Sequence, residues 1–384
     1  MSERLEFVLL ARQPGANVRA LCRRFVISAK TGYKWIKRFG EGGPAALDDR
    51  SRRPRRSPRR SSGEVAAAVM AVRRAHPTWC GRKLRRRLRD LKVETVPAAS
   101  TCTEIVRRAG LLRVRGEKGG PCQRFERRQP NELWQMDYKG HYPLQGGGRC
   151  HPLTVLDDHS RFNLVLHAGA DQTGASVQSQ LTPAFLRYGL PEAILCDNGA
   201  PWGTPDPVCP YTSLTVWLLR LGVRVLHGRP YHPQTQGKDE RFHRTLQEEL
   251  LAQHTWRDLA HCAQRFVQYR ETYNCLRPHD ALDGDVPARH YQPSPRLLPA
   301  VLPLPCYDAG SHVHTVRSNG AITYRSQTWY IGRAFAALPV GVRPSPHADG
   351  QCAVFFAHHQ LGLIDLTAPL HPKHALRSIY NTQP

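Results

Sequence analysis

Residues 49–60, Asp-Arg-Ser-Arg-Arg-Pro-Arg-Arg-Ser-Pro-Arg-Arg, carry no apolar anchor and two prolines. Such a run cannot enter a hydrophobic core or sustain a helix, so it reads as a linker and forces the chain into separately folded parts. It also sits inside a strong charge gradient. Residues 1–128 hold 33 Lys and Arg against 11 Asp and Glu, a net +22, whereas the other 256 residues contribute only +2 of the total +24. A basic excess confined to one third of a 384-residue chain points to a polyanionic partner. No amphipathic basic helix or lipidation signal directs that charge to a membrane. The excess of arginine over lysine suits bidentate contacts to phosphate and guanine.

Hydrophobic residues make up 40% of the chain, enough for real cores. The eleven cysteines include no Cys-x-x-Cys pair, which argues against a disulfide framework or a cysteine-rich zinc site. No stretch of about 18 apolar residues and no signal-peptide h-region occurs, so a soluble, cytoplasmic protein is expected.

The periodicities predict a series of parts. In 1–48, Leu5, Val8 and Leu9, then Val18, Leu21, Cys22 and Phe25, keep helical spacing. Ala29–Phe39 interleaves Tyr33, Trp35, Ile36 and Phe39 with Lys30, Lys34, Lys37 and Arg38. Helix, turn and a basic aromatic helix form the pattern of a helix-turn-helix module, with those four basic residues as candidate DNA contacts. In the linker, taken as 49–62, Arg52, Arg53, Arg55 and Arg56 are candidates to follow phosphates or a narrow minor groove. Residues 63–115 predict three further helices, Glu64–Ala75, Gly81–Leu91 and Ser100–Ala109, the last capped by Ser100 or a neighbour. A second helix-turn-helix is the economical reading, and 116–130 read as another linker.

From 131 to 290 the pattern becomes α/β. Strands are expected at Glu132–His141, His151–Asp157, Arg161–Ala168, Ala193–Cys196 and Val223–Leu226. Helices are expected at Thr173–Tyr188, Ser213–Leu221, Lys238–Leu251 and Trp256–Tyr273. Three antiparallel strands followed by alternating helix and strand describe a sheet of the RNase H kind. Residues 300–384 alternate as six short strands with turns at Asn319-Gly320 and Asp349-Gly350, consistent with a small all-β barrel.

Three carboxylates stand out in the α/β part. Asp137 lies mid-strand in Leu133-Trp-Gln-Met-Asp-Tyr-Lys-Gly140, a costly place for a charge that binds nothing. Asp197 ends the apolar strand Ile194-Leu-Cys-Asp197, where α/β sheets bind ligands. Glu240 lies near the start of a helix, with Asp239 beside it. Brought together, such groups repel unless cations neutralise them, and hard oxygen donors select Mg²⁺, with Mn²⁺ as substitute. Two ions about 3.5–4 Å apart activate one oxygen and stabilise another at a phosphodiester.

The segments Leu133-Trp-Gln-Met-Asp-Tyr-Lys-Gly140, Leu156-Asp-Asp-His-Ser-Arg161, Cys196-Asp-Asn-Gly-Ala-Pro-Trp202, Arg229-Pro-Tyr-His-Pro-Gln-Thr-Gln-Gly-Lys-Asp-Glu-Arg-Phe-His-Arg-Thr-Leu246 and Tyr273-Asn-Cys-Leu-Arg-Pro-His279 resemble bacterial insertion-sequence transposases with a retroviral-integrase-like core. The resemblance implies an RNase H-like fold whose catalytic and metal-binding triad falls on Asp137, Asp197 and Glu240. It favours Glu240 over Asp239, and one helical step of roughly 100° separates the two. It implies two metal ions per site and DNA cleavage and strand transfer at the terminal inverted repeats of a mobile element. A nuclease that cuts without joining, or a non-catalytic regulator, are the alternatives. Arg244, one turn after Glu240, and Lys238 are further candidate DNA contacts, with His232 and Gln236 weaker ones. Asp157 and Asp158 match the motif but are assigned a structural role. Because an element has two ends, a homodimer or larger assembly on DNA is expected.

Overall fold

A computed structural model describes residues 2–49, 60–112, 126–204, 209–227, 237–345, 349–367 and 376. The chain divides into two compact units, Met1–Arg60 and Ser61–Pro384.

The first unit packs α1 (Glu3–Ala11), α2 (Val18–Arg24) and α3 (Ala29–Gly42) around buried Phe7, Val8, Cys22 and Leu47. Asn17 and Ser28 cap α2 and α3 by accepting the backbone N–H of Ala20 and Thr31, so each helix starts where a short polar side chain replaces the missing turn. Phe7 meets Phe25 and Trp35 edge-on at ring-centroid distances of 5.5 and 5.8 Å. Gly32 is required where α3 crosses this core. A Cβ there would lie 2.5 Å from Cys22 Sγ and 2.8 Å from the Phe7 ring.

In the second unit, α4 (Gly63–Ala75), α5 (Gly81–Asp90) and α6 (Ala99–Arg108) enclose Val69, Val72, Trp79, Leu84, Leu88, Cys102 and Val106. The side-chain cap expected from Ser100 or a neighbour is not made. The helix begins one residue earlier, with Ala98 at the cap position and no side-chain bond.

The central sheet is built from β1 (Trp134–Tyr138), β2 (Tyr142–Pro143), β3 (Arg149–Asp157) and β4 (Asn163–Gly169). After α7 (Gly174–Tyr188) come β5 (Ala193–Cys196), α8 (Ser213–Arg220) and β6 (Arg224–His227). The order is β4-β3-β1-β5-β6. Here β3 is antiparallel to β1 and β4, β1, β5 and β6 are mutually parallel, and β2 pairs with the start of β3. This is the RNase H-like arrangement expected. Side chains alternate across β1. Trp134 and Met136 enter the core that contains α7 and α8. Gln135 and Asp137 face α9 (Gly237–Glu249), which with α10 (Leu259–Glu271) covers the other side through Phe242, Leu246, Cys262 and Phe266. Each such buried Leu or Phe contributes about 1.5–3 kcal/mol.

The C-terminal strands form sheets as expected, without the closure expected of them. β7 (His312–Thr315), β10 (Pro339–Pro344), β11 (Gln351–Phe356) and β12 (His359–Asp365) form an open antiparallel sheet in the order β12-β11-β10-β7. β8 (Ala321–Tyr324) and β9 (Gln327–Tyr330) form a separate hairpin. Among the described residues these strands do not close into a barrel. A barrel encloses its own core, whereas here Val316, Trp329, Phe335, Val342 and Phe356 join the same apolar cluster as Trp134 and Phe185 of the central sheet.

Candidate active site

The carboxylates are positioned by strand register. Parallel β1 and β5 pair Gln135 with Leu195, so two residues further along each strand Asp137 and Asp197 stand at adjacent strand ends. Asp137 Oδ1 accepts the N–H of Tyr138 at 2.8 Å, and Asp197 Oδ1 accepts that of Asn198 at 2.6 Å. These bonds fix both carboxylates to their own backbone. Glu240 projects from the first turn of α9 and is exposed, as is Asp197. Burial raises the Asp137 carboxyl to about 6, against a stabilising backbone hydrogen bond, and repulsion from Asp197 and Glu240 adds to the rise. The three expected carboxylates therefore share one electrostatic field, with Lys139 only partly offsetting it.

Behind Asp137 lies a layer of which the sequence marks only Asp239, as the neighbour weighed against Glu240. Asp239 is 1% exposed, and the Thr154 hydroxyl sits 3.2 and 3.3 Å from its two carboxylate oxygens. Thr154 Oγ1 also lies 2.8 Å from His243 Nε2 and donates to the Asp137 carbonyl at 2.9 Å. Ligand-capable atoms of Asp137, Asp239 and His243 all lie within 4.8 Å of one another. Burial drives the Asp239 carboxyl well above its ordinary range, and Asp137 reinforces the effect. Burial likewise lowers His243 to about 3, with Lys139 contributing, so this imidazole is neutral. The available signal was positional: His243 stands one helical turn after Asp239 and shares its face. Thr154, opposite Asp137 on β3, had none.

The remaining candidates are distributed as follows. Lys30, Lys34 and Lys37 are exposed on α3, Arg38 is half-buried, and Arg244 is exposed on α9. Lys238 directs its ammonium to the buried Asp158 carboxylate. Arg52, Arg53, Arg55, Arg56, His232 and Gln236 lie outside the described residues.

Comparison with known families agrees with this layout. Residues 127–233 and 221–287 match models described as integrase core domain. Residues 3–55 match a helix-turn-helix domain, and 31–106 a homeodomain-like domain. Residues 311–370 match the C-terminal domain of the IS481 family of transposases. The chain belongs to the insertion-sequence transposases with an integrase core. The core places it in the polynucleotidyl transferase superfamily.

Among curated relatives of this transposase-family chain is an uncharacterized 39.2 kDa protein of insertion element IS476 from Xanthomonas euvesicatoria. It is 28% identical over 160 residues, 42% of this chain and 44% of the relative. An uncharacterized 31.7 kDa protein of insertion element IS407 from Burkholderia multivorans is 29% identical over 48% of this chain and 65% of its own length. The chain thus spans less than two thirds of either relative. Among solved structures it is similar to the HTLV-2 integrase catalytic core domain in complex with magnesium, at 17% identity and a TM-score of 0.33, covering 43% of this chain and 99% of that one. No helix among the described residues is long and apolar enough to cross a membrane.

Proposed function

We propose that the chain is a DNA transposase that binds the ends of an insertion sequence and catalyses metal-dependent cleavage and strand transfer, with Asp137, Asp197 and Glu240 as its catalytic triad. The observation that supports this reading is the placement of Asp137 and Asp197 on adjacent parallel strands, with Asp197 and Glu240 both near enough to help raise the half-buried Asp137 carboxyl. An all-oxygen donor set under mutual repulsion fits divalent Mg²⁺ or Mn²⁺, and two ions per site are proposed. Bound there, the metals supply Lewis-acid stabilisation of the attacking and leaving oxygens at a phosphodiester. The chain's own part is orientation. Tyr138 and Asn198 N–H groups hold the Asp137 and Asp197 carboxylates, and the first turn of α9 carries Glu240.

In cleavage, a water oxygen attacks phosphorus and the strand departs with a free 3′-hydroxyl. In strand transfer, that hydroxyl attacks a target phosphodiester, one bond forming as another breaks. The proposed domain series is 1–48 and 63–115 as end-binding modules, 131–290 as the catalytic core and 300–384 as a β-domain, with 49–62 and 116–130 as linkers. The exposed lysines of α3 fit a major-groove surface, and a dimer or larger assembly would bring two ends together.

Labelled donor DNA, a target plasmid and Mg²⁺ test the activity. Joined products are expected, and Asp137→Asn should retain end binding while cleavage falls on the order of a hundredfold or more. Hydrolysed ends without joined products would reduce the reading to a nuclease. Binding with no metal-dependent cleavage would reduce it to a regulator. The compact group of Asp137, Asp239 and His243 favours a second assignment, with Asp239 in place of Glu240. Glu240→Gln is expected to abolish cleavage and Asp239→Asn to retain it, and the reverse result transfers the third position to Asp239.

A further inference from the structure

Asp158 and Lys238 are unusual for where they sit. Asp158 is 1% exposed just past the end of β3, and its carboxylate receives three donors from distant parts of the chain. Arg127 N–H donates to Oδ2 at 2.8 Å, Gln135 Nε2 donates to Oδ1 at 2.7 Å, and the Lys238 ammonium forms an ion pair with Oδ2. Lys238 Nζ also donates to the Asp158 carbonyl at 3.2 Å. Gln135, equally buried on β1, is engaged at both ends, since its Oε1 accepts the backbone N–H of Asp239 at 3.2 Å.

That N–H belongs to the first turn of α9, where backbone donors have no partner within the helix. Gln135 therefore caps α9 from a different strand. Lys238 gives the helix itself no advantage, because a cation in the first turn opposes the helix dipole. Its side chain is also largely enclosed, at 15% exposure. A buried ion pair is a poor source of stability compared with apolar packing, and its best-attested use is to specify a register. Here the register at stake is the start of α9. Glu240 is two residues past Lys238 and one past the capped Asp239, while Gln135 is two residues before Asp137 on the same face of β1.

We propose that Asp158, Gln135 and Lys238 form a buried clamp that fixes the rotation of α9 on β1 and β3, and so sets Glu240 against Asp137. All three are positioning residues, and Lys238 acts within the fold rather than on DNA. The assignment rests on the triad proposed above, because a clamp on α9 matters to chemistry only if α9 carries a reacting carboxylate.

The test uses the full chain with Gln135→Met and Lys238→Met, each compared with the parent in three measurements. Amide hydrogen exchange across 237–243 should quicken in both variants. Mn²⁺ affinity of the DNA-free protein should fall about tenfold, the usual scale for losing a partner that orients a metal-binding group. In donor-DNA turnover, kcat should fall by a similar factor with KM unchanged, and the salt dependence of donor binding should keep its slope. If Lys238 instead contacts a phosphate, Lys238→Met will lower that slope by about one unit and raise KM while leaving exchange and Mn²⁺ affinity as they were. That outcome overturns the clamp. Should Lys238→Met unfold because Asp158 loses its counter-charge, the double variant Asp158→Asn, Lys238→Met removes the unpaired charge, and the same three readouts apply to it. Failure of the transposase reading is distinguishable. The parent would then show no metal-dependent cleavage, while exchange at 237–243 still responds to Gln135→Met.

Discussion

The two helical modules carry similar basic sequences and use them in opposite ways. On α3, Lys30, Tyr33, Lys34 and Lys37 are exposed and follow the i, i+3, i+4, i+7 pattern of one helix face. On α5, Lys83 is buried, and Arg86 and the exposed Arg82 are paired with carboxylates of the same unit. Arg82 pairs with Asp280 at 3.2 Å, Arg86 with Asp285 at 2.9 Å, and Lys83 lies 3.8 Å from Glu249, which also holds Arg277 at 3.0 Å. These partners are far away in sequence, within the α/β part of the chain. Net charge therefore reports how many cations a segment has and not how many are free. The first module keeps an exposed basic face, whereas part of the second module's charge is neutralised by docking it onto the core.

The sharpest way to break this contrast is at Glu249, the last residue of α9. Its side chain is 9% exposed, and Lys83 and Arg277 are almost equally enclosed. Glu249→Gln leaves two buried cations without a carboxylate, and a loss of about 3–5 kcal/mol is expected in denaturant melts. A loss below about 1 kcal/mol, the range of a solvent-exposed pair, would mean that the second module is not held by this cluster.

Next in size is the DNA-binding side of the comparison. Replacing Lys30, Lys34 and Lys37 together by Gln should weaken binding to element ends and reduce the salt slope by about three units, one for each phosphate no longer neutralised. Arg82→Gln with Arg86→Gln should lower melting temperature and leave the slope unchanged. An equal fall in slope for both variants would erase the distinction between the modules.

The same contrast shows what could be read before the fold was known. Helices and strands were legible because burial imposes periods of 3.6 and 2 on the sequence, and Ala193–Cys196 and Ala321–Tyr324 were located to the residue. The position of Asp197 at a strand end followed from local patterning, whereas Asp137, read as mid-strand, lies one residue from the end of β1. Partners across the fold were not legible. Nothing near Thr154, Gln135 or Asp158 announces that they converge on the first turn of α9, and nothing in Lys83 announces Glu249. Closure of the C-terminal strands was not legible for a related reason. Alternation marks which strand face is buried, but not whether the opposite wall belongs to the same domain, and here it belongs to the central core.

A smaller effect comes from pH. Burial lowers Lys83 to about 8 from its ordinary 10.5, with Arg277 assisting and Glu249 opposing. Between those values the unfolded chain binds a proton that the folded chain does not, so this group adds stability as pH rises from about 8 to 10.5 and removes it as pH falls through the same window. Its slope cannot exceed about 1.4 kcal/mol per pH unit. Stability curves at several pH values should lose that component in Lys83→Met. An unaltered slope would show that Lys83 is solvated like any surface lysine.

The smallest expected effect returns to the first module. Lys37 lies 3.9 Å from Glu41 with both side chains well exposed, so the pair contributes no more than about 0.5 kcal/mol to stability. Its larger consequence is for the free face, because Glu41 places a negative charge one turn from a proposed phosphate contact. Glu41→Gln should leave the melt unchanged and tighten binding to element ends at low salt, the gain vanishing as ionic strength rises. Tightening that survives high salt would locate Glu41 at a base edge instead of beside the backbone. No tightening at any salt would remove Lys37 from the DNA-contacting stripe and narrow the free face to Lys30, Tyr33 and Lys34.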